Sequence, residues 1–279
     1  MQYFQHQQFQ IAYTRQGEGM PILFLHNGGT SHAIWNALAQ HYAQDYSVYS
    51  FDLLGYGASS SFGSEDDIQR HLSVLENFIE KEKIDKLILV GNCMGSAISL
   101  LYAQKYPQKV KALILINLLS FHSFEKGKLG LFLTLRNKFP RLTNPLYKLV
   151  ARFRIPHFLS PIAIRLQLGK QGKENKIDQN PHLNHCFTRE GQMQALIGTL
   201  EDLSQYKSID QIERPELFPP ICSVWGLENK ILSVRAGRKL NEQLKPNKEV
   251  WMQGCGHLPM MEKPEKLIKE IDIFLEQHK

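Results

Sequence analysis

Long apolar runs are missing from this chain. No uninterrupted stretch approaches the roughly 20 residues that a membrane-spanning helix requires, which excludes an integral helical membrane protein. Cysteine is also scarce, with four in 279 residues. Cys93, Cys186, Cys222 and Cys255 form neither a CxxC pair nor a dense framework, so neither a disulfide scaffold nor a zinc site is expected. The amino terminus, Met1 to Gln10, is polar and glutamine-rich, without the basic-then-apolar order of a secretory signal. A cytoplasmic protein is therefore expected, with no metal and no cofactor. Nucleic acid is not an expected partner either, because no aromatic-plus-basic binding module accompanies the positive charge.

What is present is an ordinary globular composition, 43% apolar and 22% charged, in a length that suits one α/β domain carrying an insertion. The net charge of +6 is unevenly spread. Residues 119–188 hold 12 Lys and Arg against 3 Asp and Glu, whereas the remainder is slightly acidic.

Short, almost continuously apolar runs recur at 21–25, 87–90, 112–116 and 221–225, the pattern of strands covered on both faces. Weaker strands are expected at 10–15, 47–51 and 249–253. Between them, Ile68, Leu72, Leu75 and Ile79 share one helical face, as do Met94, Ala97, Ile98, Leu101 and Tyr102, then Leu267, Ile268, Ile271, Phe274 and Leu275. Ser64 with Asp67 reads as a helix start, and Pro107 as a helix stop. This alternation predicts a mostly parallel sheet with helices on both faces. From 119 to 188 the alternation breaks: five prolines separate short helical stretches with no strand. The expected organisation is a core of residues 1–118 and 189–279 with a helical cap at 119–188.

Four stretches carry chemistry. In Gly91-Asn92-Cys93-Met94-Gly95 an apolar strand runs through G-x-C-x-G directly into a helical pattern, the signature of a nucleophile elbow. The second stretch is His26-Asn27-Gly28-Gly29-Thr30 followed by Trp35, the third is Asp52-Leu53-Leu54-Gly55-Tyr56-Gly57-Ala58-Ser59, and the fourth is Gly254-Cys255-Gly256-His257 with Glu262 and Pro264. In this order and spacing the chain resembles the α/β-hydrolase family over nearly its whole length, with cysteine where serine is usual.

The resemblance implies an α/β-hydrolase fold in which Cys93 is the nucleophile and His257 the base. The backbone N–H groups of Gly28 and Met94 would form the oxyanion hole, and Asn27, Gly29, Trp35 and Asn92 would line the substrate. Asp52 is expected to fix its own loop. Family members usually place an acid three residues after the glycine that follows the strand at 221–225; here that position is Asn229. Glu228 beside it, or Asn117 after the strand ending near Ile116, are the alternative third members. Cysteine and asparagine make sense together, since a thiol can form a thiolate–imidazolium pair with only an amide orienting the ring, the logic of the papain-like Cys-His-Asn site.

The expected reaction is hydrolysis of an ester, thioester or lactone with a hydrophobic acyl part through a Cys93 thioester. Cysteine-elbow relatives include dienelactone hydrolases and polyhydroxyalkanoate synthases, so an acyltransferase is the alternative, its acceptor an alcohol, amine or thiol that a carrier may hold. A hydrolase-like protein that binds without reacting is the third reading. The cap residues 129–155 mix apolar and basic side chains, which suits a hydrophobic small-molecule substrate and an acidic carrier protein or a membrane surface as partner. The same pattern also fits an ordinary helical insertion with solvated charges.

Overall fold

The computed structural model describes residues 1–60, 68–215 and 217–279. The helix start read at Ser64 and Asp67 lies outside them. Eight strands, β1 (Gln2–His6), β2 (Phe9–Gln16), β3 (Met20–Leu25), β4 (Tyr46–Phe51), β5 (Leu87–Asn92), β6 (Val110–Ile116), β7 (Ile221–Gly226) and β8 (Lys248–Met252), form one sheet. Their order is β1-β2-β4-β3-β5-β6-β7-β8. β2 pairs antiparallel with both β1 and β4, and every other pairing is parallel.

Alternation along the strands divides the core in two. Leu23, Leu25, Leu87, Leu89, Leu113 and Leu115 point to one face, where they meet α2 (Ile68–Lys81) and α3 (Met94–Lys105). Ile22, Phe24, Ile88, Val90, Ile114 and Val224 point to the other, under α1 (Asn36–Tyr42) and the last helix, Pro264–Glu276. Burial on both faces is what makes these strands continuous apolar runs.

No strand lies between β6 and β7 among the described residues. The chain instead forms α4 (Phe121–Glu125), α5 (Gly130–Lys138), α6 (Pro140–Ala151), α7 (Ser160–Arg165), α8 (Lys170–Glu174), α9 (Pro181–Thr188), α10 (Gln192–Glu201) and α11 (Lys207–Asp210). The run of helices thus passes residue 188, where the sequence pattern placed its end, and Gly191 at φ +79° is the break that hid its continuation. After β7 come α12 (Val234–Leu244), α13 (Pro259–Glu262) and α14 (Pro264–Glu276). The loops after β3, β5, β6, β7 and β8 all leave the same edge of the sheet, the edge where open α/β sheets place their ligands.

Candidate active site

The elbow is built by steric necessity. Cys93 stands at φ +53°, ψ −110° between β5 and α3, a region that non-glycine residues avoid unless the surroundings enforce it. A Cβ on Gly91 would lie 2.3 Å from the Gly95 carbonyl carbon, and one on Gly95 only 2.0 Å from the Leu25 carbonyl oxygen. Both glycines are therefore required for the helix to start this close to β3 and β5. Cys93 N–H donates to the Ile116 carbonyl (2.9 Å), and Ser96 Oγ reaches the carbonyls of Gly91 (2.6 Å) and Ile116 (2.8 Å).

His257 sits on the loop after β8. Glu262 Oε1 accepts from the N–H groups of Gly256 (2.8 Å) and Leu258 (3.1 Å) while its Oε2 accepts from Gly169 (2.7 Å). One buried carboxylate thus ties the histidine loop to the helical insertion. His257 N–H in turn donates to the Gln167 carbonyl at 2.7 Å.

Asn229 faces the ring. Its Oδ1 accepts from Ile231 N–H (3.0 Å) and Leu232 N–H (3.1 Å) and lies 3.3 Å from His257 Nδ1. The two backbone donors fix which amide atom points at the imidazole. Because that atom is an oxygen, Nδ1 must carry the proton, and Nε2 is left as the basic nitrogen. Glu228 does not share this role: it is exposed, and its Oε2 accepts from Lys170 N–H at 2.8 Å.

Asn117 also stands apart from the ring. At φ +46°, it donates from Nδ2 to the His257 backbone carbonyl (3.2 Å) and to Asn92 Oδ1 (3.3 Å), and its Oδ1 accepts from Gly226 N–H (3.1 Å). Asn92 Nδ2 donates to the same His257 carbonyl (3.1 Å) and to Asn27 Oδ1 (3.0 Å). Three asparagines from the ends of β3, β5 and β6 therefore stitch the elbow to the histidine loop. This network was not visible in the sequence, since its members are 65 and 25 residues apart.

The network corrects part of the substrate lining. Asn27 and Asn92 are 1% and 0% exposed, with side-chain groups consumed by the network. Trp35 is 0% exposed and packs on Phe24, 5.1 Å between ring centroids, in the core on the opposite face of the sheet. None of the three is presented to a substrate.

The loop after β3, the expected oxyanion loop, is braced from behind. His26 Nε2 accepts from Leu53 N–H (2.9 Å), so its Nδ1 holds the proton and donates to the Asn27 carbonyl (2.7 Å). Asp52 accepts from His32 N–H (2.7 Å), His32 Nδ1 (2.8 Å) and Ala58 N–H (2.7 Å), the loop-fixing role expected of it. Gly28 N–H has no acceptor among the described residues, and the Met94 N–H points at the Cys93 sulfur. The insertion closes over both: Leu196 lies against Gly28, Phe187 against Gly29, and Thr199 Oγ1 lies 3.8 Å from Met94 Sδ. With its amide turned to satisfy both groups, Gln192 accepts from Gly29 N–H (3.2 Å) and donates to the Cys186 carbonyl (3.3 Å).

Closure sets the charge state. Cys93 is 8% and His257 2% exposed. Burial pushes the Cys93 thiol up to about 12, only partly opposed by the Met94 N–H, and burial pulls His257 down to about 3. Burial therefore works against the expected thiolate–imidazolium pair, since it favours the neutral form of both groups, and among the described residues no hydrogen bond joins the sulfur to the ring. The physical reason is that desolvation outweighs a helix start and an amide partner, neither of which supplies a full charge.

Fold and elbow together define an α/β architecture that carries its candidate site at the strand ends. A model of the alpha/beta hydrolase fold family matches residues 20–264. The chain belongs to the α/β-hydrolase fold family.

Its relatives are matched over most of their own length. It is 24% identical over 274 residues to a pimeloyl-[acyl-carrier protein] methyl ester esterase of Aliivibrio fischeri, covering 96% of this chain and 98% of that one. It is 23% identical to a monoacylglycerol lipase of Bos taurus, covering 99% and 82%. Among solved structures, a membrane phospholipase A described as a bacterial virulence factor superposes with TM-score 0.77 at 26% identity, covering 99% and 85%. An enol-lactonase of Burkholderia xenovorans superposes with TM-score 0.78 at 15% identity, covering 99% and 100%. Among the described residues no helix is long and apolar enough to cross a membrane.

Proposed function

We propose that this protein hydrolyses a carboxylic ester, thioester or lactone with a hydrophobic acyl part, using Cys93 as nucleophile and His257 as base. The observation that carries the reading is the enforced backbone of Cys93, φ +53° between two glycines that tolerate no Cβ. Strain of this kind is kept where it presents a side chain for chemistry. Similarity to esterases, a lipase and a lactonase supports the bond class.

On this reading the reaction runs in the following sequence. Cys93 Sγ attacks the acyl carbonyl carbon as its proton passes to His257 Nε2, and the carbonyl π electrons move to oxygen. The N–H groups of Gly28 and Met94 hold that oxyanion. Collapse breaks the bond to the alcohol or thiol, which takes the proton from His257 and leaves a thioester on Cys93. Water then gives a proton to His257 and attacks the thioester; the second collapse releases the acid and returns the proton to sulfur. Asn229 keeps Nδ1 protonated throughout. The cap would cover the acyl chain, with an acidic carrier protein or a membrane at its basic surface.

Intact-protein mass spectrometry after incubation with acyl p-nitrophenyl esters and acyl thioesters tests the reading. An acyl mass on the wild-type chain that Cys93→Ala abolishes, and that decays in water, is expected. An adduct that survives water but clears with an added alcohol, amine or thiol would assign acyl transfer, a reading favoured by the 8% exposure that shields the thioester. No adduct on either protein would refute both and leave a hydrolase-like binding protein. That reading is favoured by the neutral pair and by an imidazole whose pKa no neighbouring carboxylate raises.

A further inference from the structure

Helix α6 carries its apolar stripe on the outside. None of its residues is buried. Its least exposed positions, Thr143, Tyr147 and Ala151, recur every fourth residue and lean on the body. Tyr147 Oη donates to the Phe132 carbonyl (3.2 Å), and the Arg136 guanidinium lies 5.1 Å over the Tyr147 ring. Arg136 in turn pairs with Glu201 of α10 at 2.9 Å. With that side fixed inward, Leu142 (77% exposed), Leu146 (58%), Leu149 (52%) and Phe153 (62%) face solvent, and α5 adds Leu131 (64%) and Phe132 (58%).

The surroundings of the stripe are basic. From 126 to 173 the chain has eleven Lys and Arg and no Asp or Glu. Lys138, Arg141, Lys148 and Arg152 are exposed and have no ion-pair partner among the described residues. A stripe of leucine and phenylalanine on a surface helix is costly in water unless something covers it, and apolar side chains beside a basic flank are what a helix lying in a headgroup layer presents.

We propose that α5 and α6 dock on a bilayer surface bearing anionic headgroups, with the leucine and phenylalanine side chains entering the acyl boundary and the four cations meeting phosphate. Charge complementarity selects this occupant. A second copy of the chain would bring the same uncompensated positive surface against itself. An acidic protein would answer the cations but would need a groove of its own for a convex row of side chains that a lipid layer accepts without one. The proposal stands whether or not Cys93 reacts. If it does, the docked face lies one helix from the nucleophile, because α6 packs on α10, whose Leu196 and Thr199 cover Gly28 and Met94.

Sedimentation with vesicles tests the proposal, using phosphatidylcholine alone and phosphatidylcholine mixed with phosphatidylglycerol. The wild-type chain should partition onto the mixed vesicles and be released by salt. The variant Arg141→Glu/Lys148→Glu should partition at least about 25-fold more weakly, roughly fivefold for each cation lost. Leu142→Ser/Leu146→Ser should also weaken it while keeping the charge. Both variants change only exposed side chains, and unchanged thermal melts and unchanged far-ultraviolet circular dichroism would show that they fold. Absence of partitioning, or equal partitioning of all three proteins, would overturn the proposal. So would a dimer that the leucine variant dissociates, or capture of an acidic acyl carrier protein by a chain that ignores vesicles.

Discussion

Asn229→Asp probes the charge balance of the site most directly. The amide oxygen sits 3.3 Å from His257 Nδ1, and its Nδ2 is buried without a partner, so a carboxylate replaces the amide without breaking a bond. The two N–H groups of Ile231 and Leu232 that hold Oδ1 would stabilise the new charge. At an effective dielectric of about 20, a unit charge at this distance favours the imidazolium by about 5 kcal/mol. Deducting the carboxylate's own desolvation leaves a rise of roughly two to three pH units in the His257 pKa, from about 3 toward the ordinary value. A protonated ring then stabilises the thiolate, so the Cys93 pKa falls from about 12.

Two measurements follow both groups: the pH dependence of Cys93 alkylation by iodoacetamide, and NMR titration of the His257 ring protons. In the wild-type chain alkylation should climb steadily to high pH, and in Asn229→Asp its inflection should move down by a unit or more, roughly. Asn229→Leu, which removes the hydrogen bond and adds no charge, should not move it downward. If Asn229→Asp leaves both profiles where they were, Asn229 does not act on the ring and the Cys-His-Asn assignment fails.

Gly95→Ala places a Cβ 2.0 Å from the Leu25 carbonyl oxygen and should cost about 3 kcal/mol or more, read as a lower denaturation midpoint or loss of soluble protein. Burial pulls His26 down to about 4, so its folded pKa lies below its unfolded value. The stability this contributes is complete above the unfolded value and is lost as pH falls toward 4, by about 3 kcal/mol; His26→Gln should flatten that part of a urea-midpoint profile against pH. Asp52 is shifted downward, since burial is outweighed by the His32 hydrogen bond, the field of His26 and His32, and the Ala58 N–H. It therefore stabilises above the ordinary carboxylate range and loses that contribution as pH falls through its folded value, so Asp52→Asn should lower the midpoint at neutral pH and little at strongly acid pH.

The central strands were legible because burial on both faces leaves them almost entirely apolar, whereas the buried Ser47 and Ser50 interrupt the run of β4. β1 escaped notice for the converse reason: Gln2, Tyr3 and Gln5 are exposed at the sheet edge, so only Phe4 and His6 mark it. Helix α12 buries Gly237, Leu240, Asn241 and Leu244, of which only the two leucines are large and apolar, so a reading that follows runs of apolar side chains passes over it. At the site, the elbow could be read from five residues because its constraint is local sterics. Trp35 was misassigned because proximity in sequence to the oxyanion loop says nothing about which face of the sheet a side chain takes. The asparagine network and the clamp by Glu262 join loops from different strands, and no local pattern encodes such meetings.

The protonation of the pair depends on the insertion more than on the pair itself. Gln167 and Gly169 bind the histidine loop, while Phe187 and Leu196 lie against Gly28 and Gly29, and Thr199 lies against Met94. These contacts remove the water that would solvate a thiolate. They also obstruct the approach of any acyl group. Under the proposed function, a movement of α9 and α10 that admits substrate would remove part of the desolvation that favours the thiol, so opening and activation would share one cause. On that proposal Asn229 would need only to orient the ring, because the change in solvation would supply what a carboxylate supplies in a serine enzyme.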